Sequence, residues 1–312
     1  KFYIYGIHSN YFTNELSNIE HITVIKKDPL IFAFDLIGMK NDLSNLDNLP
    51  FPAWDLVDLN KYRLPLKNTK FVLIQPSKGC PFDCSFCTNE YVNKGKIAMR
   101  SVNSVIKEIK YIKSLGINEI IFFADLFMLN RTWVKNLCNG LIYNKINIKF
   151  ACNSRVDSLD ENLITKLKKA GCWLISLGME NIDEDIIKNS NKKIKTKQIY
   201  HALDLLKYKG ILTLGHFIIG LPGESEKTLK SMLNFVKTNT LYFAMFYIAT
   251  PLPGTKIYEM HKNKLSKNWS NFNYSENIIK KELNLKSWRK RLFLSFYFNK
   301  NYIFKLIRLF KV

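Results

Sequence analysis

Residues Phe71-Val72-Leu73-Ile74-Gln75-Pro76-Ser77-Lys78-Gly79-Cys80-Pro81-Phe82-Asp83-Cys84-Ser85-Phe86-Cys87 set the terms on which the rest of the chain is read. The apolar run Phe71 to Ile74 reads as a strand, and three cysteines follow it at C-x3-C-x2-C spacing. Thiolates are the ligands of iron–sulfur clusters, and a short loop can fold three of them around one cluster. A four-iron cubane held by three cysteines keeps one iron free of protein, which is a place for chemistry. The alternative is a structural zinc loop, but such sites pair C-x2-C with a second Cys or His pair. Here Cys138, Cys152 and Cys172 stand singly.

Outward from this loop, apolar strands alternate with amphipathic helices as far as about Thr250. The strand candidates are Phe71–Gln75, Glu119–Ala124, Ile146–Cys152, Trp173–Leu177, Thr213–Ile219 and Tyr242–Ala249. Helical stretches fall around Val102–Leu115, Thr132–Asn144, Asp160–Ala170, Thr196–Lys209 and Ser225–Lys237. Val102, Val105, Ile106, Ile109 and Ile112 recur at helical spacing. Gly116, Gly171 and Gly210 stand just past three helix ends, where a positive φ is favoured. The fold class is therefore α/β, a parallel sheet of six βα units curling into a partial (β/α)6 barrel with its site at the C-terminal strand ends.

Those ends carry polar residues: Asp125, Asn153 with Arg155, Glu180 with Asn181, Glu224 after Gly220-Leu221-Pro222-Gly223, and Thr250 before Pro251-Leu252-Pro253-Gly254. Singly, Asp125, Asn153, Glu180 and Glu224 read equally well as helix caps. As a series after successive strands they read as the wall of a site.

With the cysteine loop, this series resembles the core of the radical S-adenosylmethionine (radical SAM) enzymes from Phe71 to about Tyr258. The resemblance implies that Cys80, Cys84 and Cys87 hold a 4Fe–4S cluster, with Phe86 beside the adenine of S-adenosylmethionine. Glu180 matches the acidic position that contacts its ribose or methionine part, and Asn153 and Arg155 match polar positions after the third strand. Gly215 and Gly220 match small residues that let backbone approach the nucleoside. Asp125 stands where relatives often carry two acids; the first position here is Ala124.

Residues 1–48 read strand–glycine–helix–strand, from Phe2–Tyr5 to Ile22–Ile25, and resemble the last part of a cobalamin-binding domain. Cobalamin is thus an open cofactor: its D-x-H-x-x-G loop does not occur in this sequence, and His8 reads as a polar loop histidine. The chain begins with Lys1, and the expectation is a piece of something longer. Residues 49–68, with Pro50, Pro52, Trp54 and Pro65, read as a linker to a core at 69–260. Residues 261–312 form an extension whose part from 283 onward mixes Lys and Arg with aromatics. That part suits either a helical cap on the barrel, the favoured reading, or a helix in contact with an anionic membrane surface.

Composition sets wider bounds. The net charge is +21, yet of 47 basic residues only seven are Arg, so nucleic acid, which favours Arg for bidentate contacts, is not the expected partner. Six cysteines in 312 residues, three of them clustered, point to a reducing, cytoplasmic setting. The leading function is a radical SAM enzyme of the cobalamin-linked subgroup acting on a small organic or lipid substrate, with a reducing partner such as flavodoxin or ferredoxin. The alternatives are a tRNA-modifying enzyme of the methylthio-transfer type and a non-catalytic iron–sulfur protein.

Overall fold

The structure is a computed structural model that describes residues 2–4, 11–25, 46–65, 67–265, 268–280, 282–299, 302 and 305. Six strands, β1 (Val72–Ile74), β2 (Glu119–Phe122), β3 (Lys149–Arg155), β4 (Cys172–Glu180), β5 (Leu212–Ile219) and β6 (Phe243–Ile248), pair in chain order. Every pairing is parallel, and among the described residues β1 and β6 do not meet. The barrel is open on that side.

The connections are helices α1 (Val102–Ser114), α2 (Arg131–Tyr143), α3 (Glu161–Lys169), α4 (Thr196–Tyr208) and α5 (Glu226–Thr238). Each starts where a side chain satisfies a free backbone N–H. Ser101, Asn130, Asp160 and Ser225 accept from the third residue of α1, α2, α3 and α5. Each also buries an apolar stripe, for example Val105, Ile109 and Ile112 of α1 and Leu163, Ile164 and Leu167 of α3. Burying each such side chain stabilises the fold by roughly 1.5–3 kcal/mol. Gly116, Gly171 and Gly210 take φ of 78°, 106° and 66° at the ends of α1, α3 and α4, as expected.

Burial alternates along β5. Thr213, Gly215, Phe217 and Ile219 are buried beneath the helices, whereas Leu212, Leu214, His216 and Ile218 face inward and are only half-buried. A packed parallel sheet would bury both faces; here the inner face lines a cavity.

Two differences from the sequence reading matter for the site. β3 and β4 run three residues beyond their expected ends, so Asn153, Arg155 and Glu180 belong to the strands. The cap reading of Asp125, Asn153, Glu180 and Glu224 fails, because neighbouring residues such as Asn130, Asp160 and Asp183 are the caps.

After the sheet, α6 (Leu285–Tyr297) packs on α5 and β6 and buries Leu285, Trp288, Leu292 and Phe296. It also meets the free edge of β6. The Tyr297 hydroxyl accepts from Ala244 N–H at 3.0 Å and donates to Ala244 C=O at 2.8 Å, and Arg289 Nε donates to Phe246 C=O at 2.8 Å. An edge strand left bare would be a template for another chain. The expected linker is docked too: Trp54 Nε1 donates to Glu108 of α1 at 3.3 Å, and Tyr111 of α1 donates to Asp55 at 3.0 Å. At the N-terminus, Phe2–Ile4 and Ile22–Val24 form a separate parallel pair; His8 lies outside the described residues. Among the described residues no helix is long and apolar enough to cross a membrane.

Candidate functional site

The cysteine loop follows β1 and is held from three sides. Gly79 N–H donates to the Asp125 carboxylate at 2.6 Å, and Cys80 N–H donates to Asn89 Oδ1 at 3.0 Å. Ser85 donates its N–H to Ser190 C=O at 2.9 Å and accepts from Ile257 N–H at 3.0 Å. Asp83 pairs with Lys256 at 2.9 Å and Lys193 at 3.3 Å, and the Lys256 hydrogen bond holds its carboxyl down at about 2. Gly79 permits the turn: its φ is 95°, and a Cβ there would lie 1.9 Å from the Lys96 carbonyl oxygen.

All three thiols line one cavity of about 630 Å³ at the C-terminal end of the sheet. Burial pushes the Cys84 thiol up to about 11 and raises those of Cys80 and Cys87, while Arg155 and Lys192 pull toward the thiolate at Cys80 and Cys84. Bare thiols here hold their protons and would release them on binding iron. Among the described residues no three such groups close on a single metal ion. A cluster spreads its thiolates over several irons, so three thiols around one cavity, with two cations beside them, fit a 4Fe–4S group.

The same cavity collects Phe86, Asp125, Asn153, Arg155 and Glu180. Glu180 has φ 62°, and the β4–β5 register shifts between Gly178 and Glu180, a bulge that re-aims the strand end. Its Oε1 accepts from Lys192 Nζ at 2.9 Å; side chains of both are about nine-tenths buried, with exposures of 10% and 9%. Burial opposes the Lys192 charge, but the Glu180 carboxylate overcomes it and the ammonium pKa is raised. A Cβ on Gly178 would stand 2.7 Å from Glu180 Oε1 and 2.9 Å from Lys192 Nζ, so glycine makes room for the pair.

Arg155 grips Asp157 with two bonds of 2.9 Å, donates to the Lys192 carbonyl at 2.8 Å, and lies 3.7 Å from the centre of the Phe82 ring. It thereby ties the end of β3 to the Lys192 turn and the cysteine loop. Asn153 accepts from Phe127 N–H at 3.0 Å and donates to Ala124 C=O at 2.6 Å.

The two expected glycines lie elsewhere. Gly215 abuts Leu241 and Phe217 in the core, and Gly220, at φ 86°, abuts Leu285; neither lines the cavity. Their small size serves packing in this chain. Glu224 closes its own loop, accepting from Gly220 N–H at 3.3 Å and Asn181 Nδ2 at 3.2 Å.

Lys192, Ser176, His216 and Tyr247 also line the cavity and were missed by sequence reasoning. Ser176 Oγ and His216 Nε2 are hydrogen-bonded at 2.6 Å, and His216 Nδ1 and the Tyr247 hydroxyl at 3.1 Å. Burial lowers the His216 pKa, keeping the ring neutral. The inward period of β5 and β6 could have flagged His216 and Tyr247; nothing in the sequence marks Lys192.

Comparison with known proteins agrees with this geometry. The family model of the Radical SAM superfamily matches residues 74–236. An uncharacterised methyltransferase of Pyrococcus horikoshii is 30% identical over 242 residues, which are 76% of this chain and 52% of that protein. Bacteriochlorophyllide d C-12(1)-methyltransferase of Chlorobaculum tepidum is 30% identical over 205 residues, 64% of this chain and 44% of that protein. The solved structure of the cobalamin-dependent S-adenosylmethionine radical enzyme OxsB with aqua-cobalamin bound superposes with a TM-score of 0.66 at 14% identity. That match covers 89% of this chain and 52% of the other. The chain spans about half the length of the curated relatives it matches.

Proposed function

Because this chain belongs to the radical S-adenosylmethionine superfamily, we propose that it cleaves S-adenosylmethionine reductively at a 4Fe–4S cluster held by Cys80, Cys84 and Cys87. The product radical would take a hydrogen atom from a small organic or lipid substrate, giving 5′-deoxyadenosine and a substrate radical, which is then methylated, closes a ring or reworks its carbon skeleton, with cobalamin as a second cofactor. One observation carries this reading: the three thiols share one 630 Å³ cavity with Glu180, Lys192, Arg155, Asp125 and Asn153. That size falls within the roughly 300–1,000 Å³ of cofactor and small-molecule sites.

The cluster, when bound, supplies the electron that breaks the sulfonium bond of S-adenosylmethionine to give a 5′-deoxyadenosyl radical. The chain's residues bind and orient. The Glu180 carboxylate offers an acceptor to the ribose or amino group, and Lys192 and Arg155 balance the negative charge of thiolates and cluster. Asp125 and Asn153 fix the ends of β1, β2 and β3 around the cysteine loop, and Phe86 gives an apolar wall for the adenine. The electron comes from a reducing partner such as flavodoxin or ferredoxin.

The test is anaerobic reconstitution with iron and sulfide, followed by dithionite and S-adenosylmethionine, reading 5′-deoxyadenosine. Wild type is expected to form it and Cys84→Ala to fall to the protein-free background. Absence of product from a fully loaded wild-type chain would leave a non-catalytic iron–sulfur protein.

A further inference from the structure

Below the thiol-lined cavity lies a second one of about 1210 Å³, on the side where β6 has no strand beyond it. Its walls include Leu212 and Leu214 of β5, Phe243 and Met245 of β6, and Phe293 and Leu294 of α6. Met245, Phe293 and Leu294 remain 46%, 48% and 42% exposed, a large apolar surface that the described residues leave uncovered. An apolar cavity of this size offers water few partners and suits an apolar ligand.

Its rim is cationic. Lys286, Arg289 and Lys290 stand along α6, and Lys149 stands at the start of β3. The single carboxylate of the lining, Glu276, is paired with Lys286 at 2.7 Å, and among the described residues Lys149 and Lys290 have no acidic partner. Anions are therefore attracted to an otherwise apolar mouth.

The two cavities meet at Tyr247, which lines both. One pleat step separates Leu214 below from His216 above, and Met245 below from Tyr247 above. The Tyr247 hydroxyl, bound to His216, also donates to Met245 Sδ at 3.3 Å, so the Ser176–His216–Tyr247 chain stands where the two cavities meet.

We propose that the lower cavity is the substrate site and that the substrate is an amphiphile. Its extended apolar body lies along β5, β6 and α6, one anionic head (carboxylate or phosphate) rests on the cationic rim at Lys290, and its reacting end reaches Tyr247. This rests on the enzymatic reading above, since it names the substrate of that site.

Binding without turnover tests it separately from the chemistry. A fluorescent C18 polyene carboxylate is titrated into the reconstituted chain and displaced with hexadecanoate, hexadecyl phosphate or hexadecanol. One site per chain is expected, with either hexadecanoate or hexadecyl phosphate, whichever head matches, displacing the probe about tenfold better than the alcohol. Lys290→Glu, an exposed change, is expected to weaken the probe about tenfold, and Met245→Trp, which adds bulk where the cavity meets Tyr247, to weaken it at least tenfold. Cys84→Ala should bind as wild type, because no thiol lines this cavity; failure of the radical chemistry thus leaves the result readable. Absence of one-site binding would overturn the proposal. So would equal displacement by the alcohol, or binding unchanged in both Lys290→Glu and Met245→Trp.

Discussion

Glu180 and Lys192 form a buried ion pair whose two members come from different turns, one at a bulged strand end and one in a loop with residues 191 and 193 at positive φ. Strained backbone of this kind persists only where its surroundings hold it. A pair so enclosed contributes little net stability, but breaking it strands a charge. Lys192→Met is expected to destabilise the chain by about 3 kcal/mol in urea titration, with Lys192→Met/Glu180→Gln recovering most of the loss. Equal stability of Lys192→Met and wild type would show that the pair is solvated. Glu180 was legible in the sequence as a lone acid ending an apolar run. Lys192 was not, because it stands in a lysine-rich segment and acquires its role only when the turn folds back over β4.

At the scale of elements, the six strands and five helices were readable because apolar spacing, caps and terminal glycines agree locally. What local pattern could not supply was how far β3 and β4 extend: polar Asn153, Arg155 and Glu180 look like loop, and it is ladder pairing with β4 and β5 that holds them in strand. The part of α6 was favoured as a barrel cap but not decided, for a related reason, since its aromatic and basic content also suits a membrane surface. Among the described residues α6 packs on α5 and β6, as the cap reading expects. Tyr297→Phe removes the hydroxyl that satisfies both Ala244 N–H and C=O. A loss of about 1–2 kcal/mol is expected, with faster hydrogen exchange at the β6 edge. Unchanged exchange there would mean that α6 covers the edge by packing alone.

For the molecule as a whole, the open barrel carries two cavities, a polar, thiol-lined upper one and an apolar, cation-rimmed lower one, which meet at Tyr247. The upper site was legible through cysteine spacing and strand ends. The lower cavity was not, since it is made by Leu, Met and Phe residues that in sequence are indistinguishable from core. The central claim is a cluster with one iron open to S-adenosylmethionine. Electron paramagnetic resonance of the anaerobically reconstituted, dithionite-reduced chain, with and without S-adenosylmethionine, addresses it directly. The expected result is a reduced-cluster signal whose g-values shift on adding S-adenosylmethionine, with no such signal in Cys84→Ala. A full-strength cluster signal that S-adenosylmethionine leaves unchanged would contradict the account.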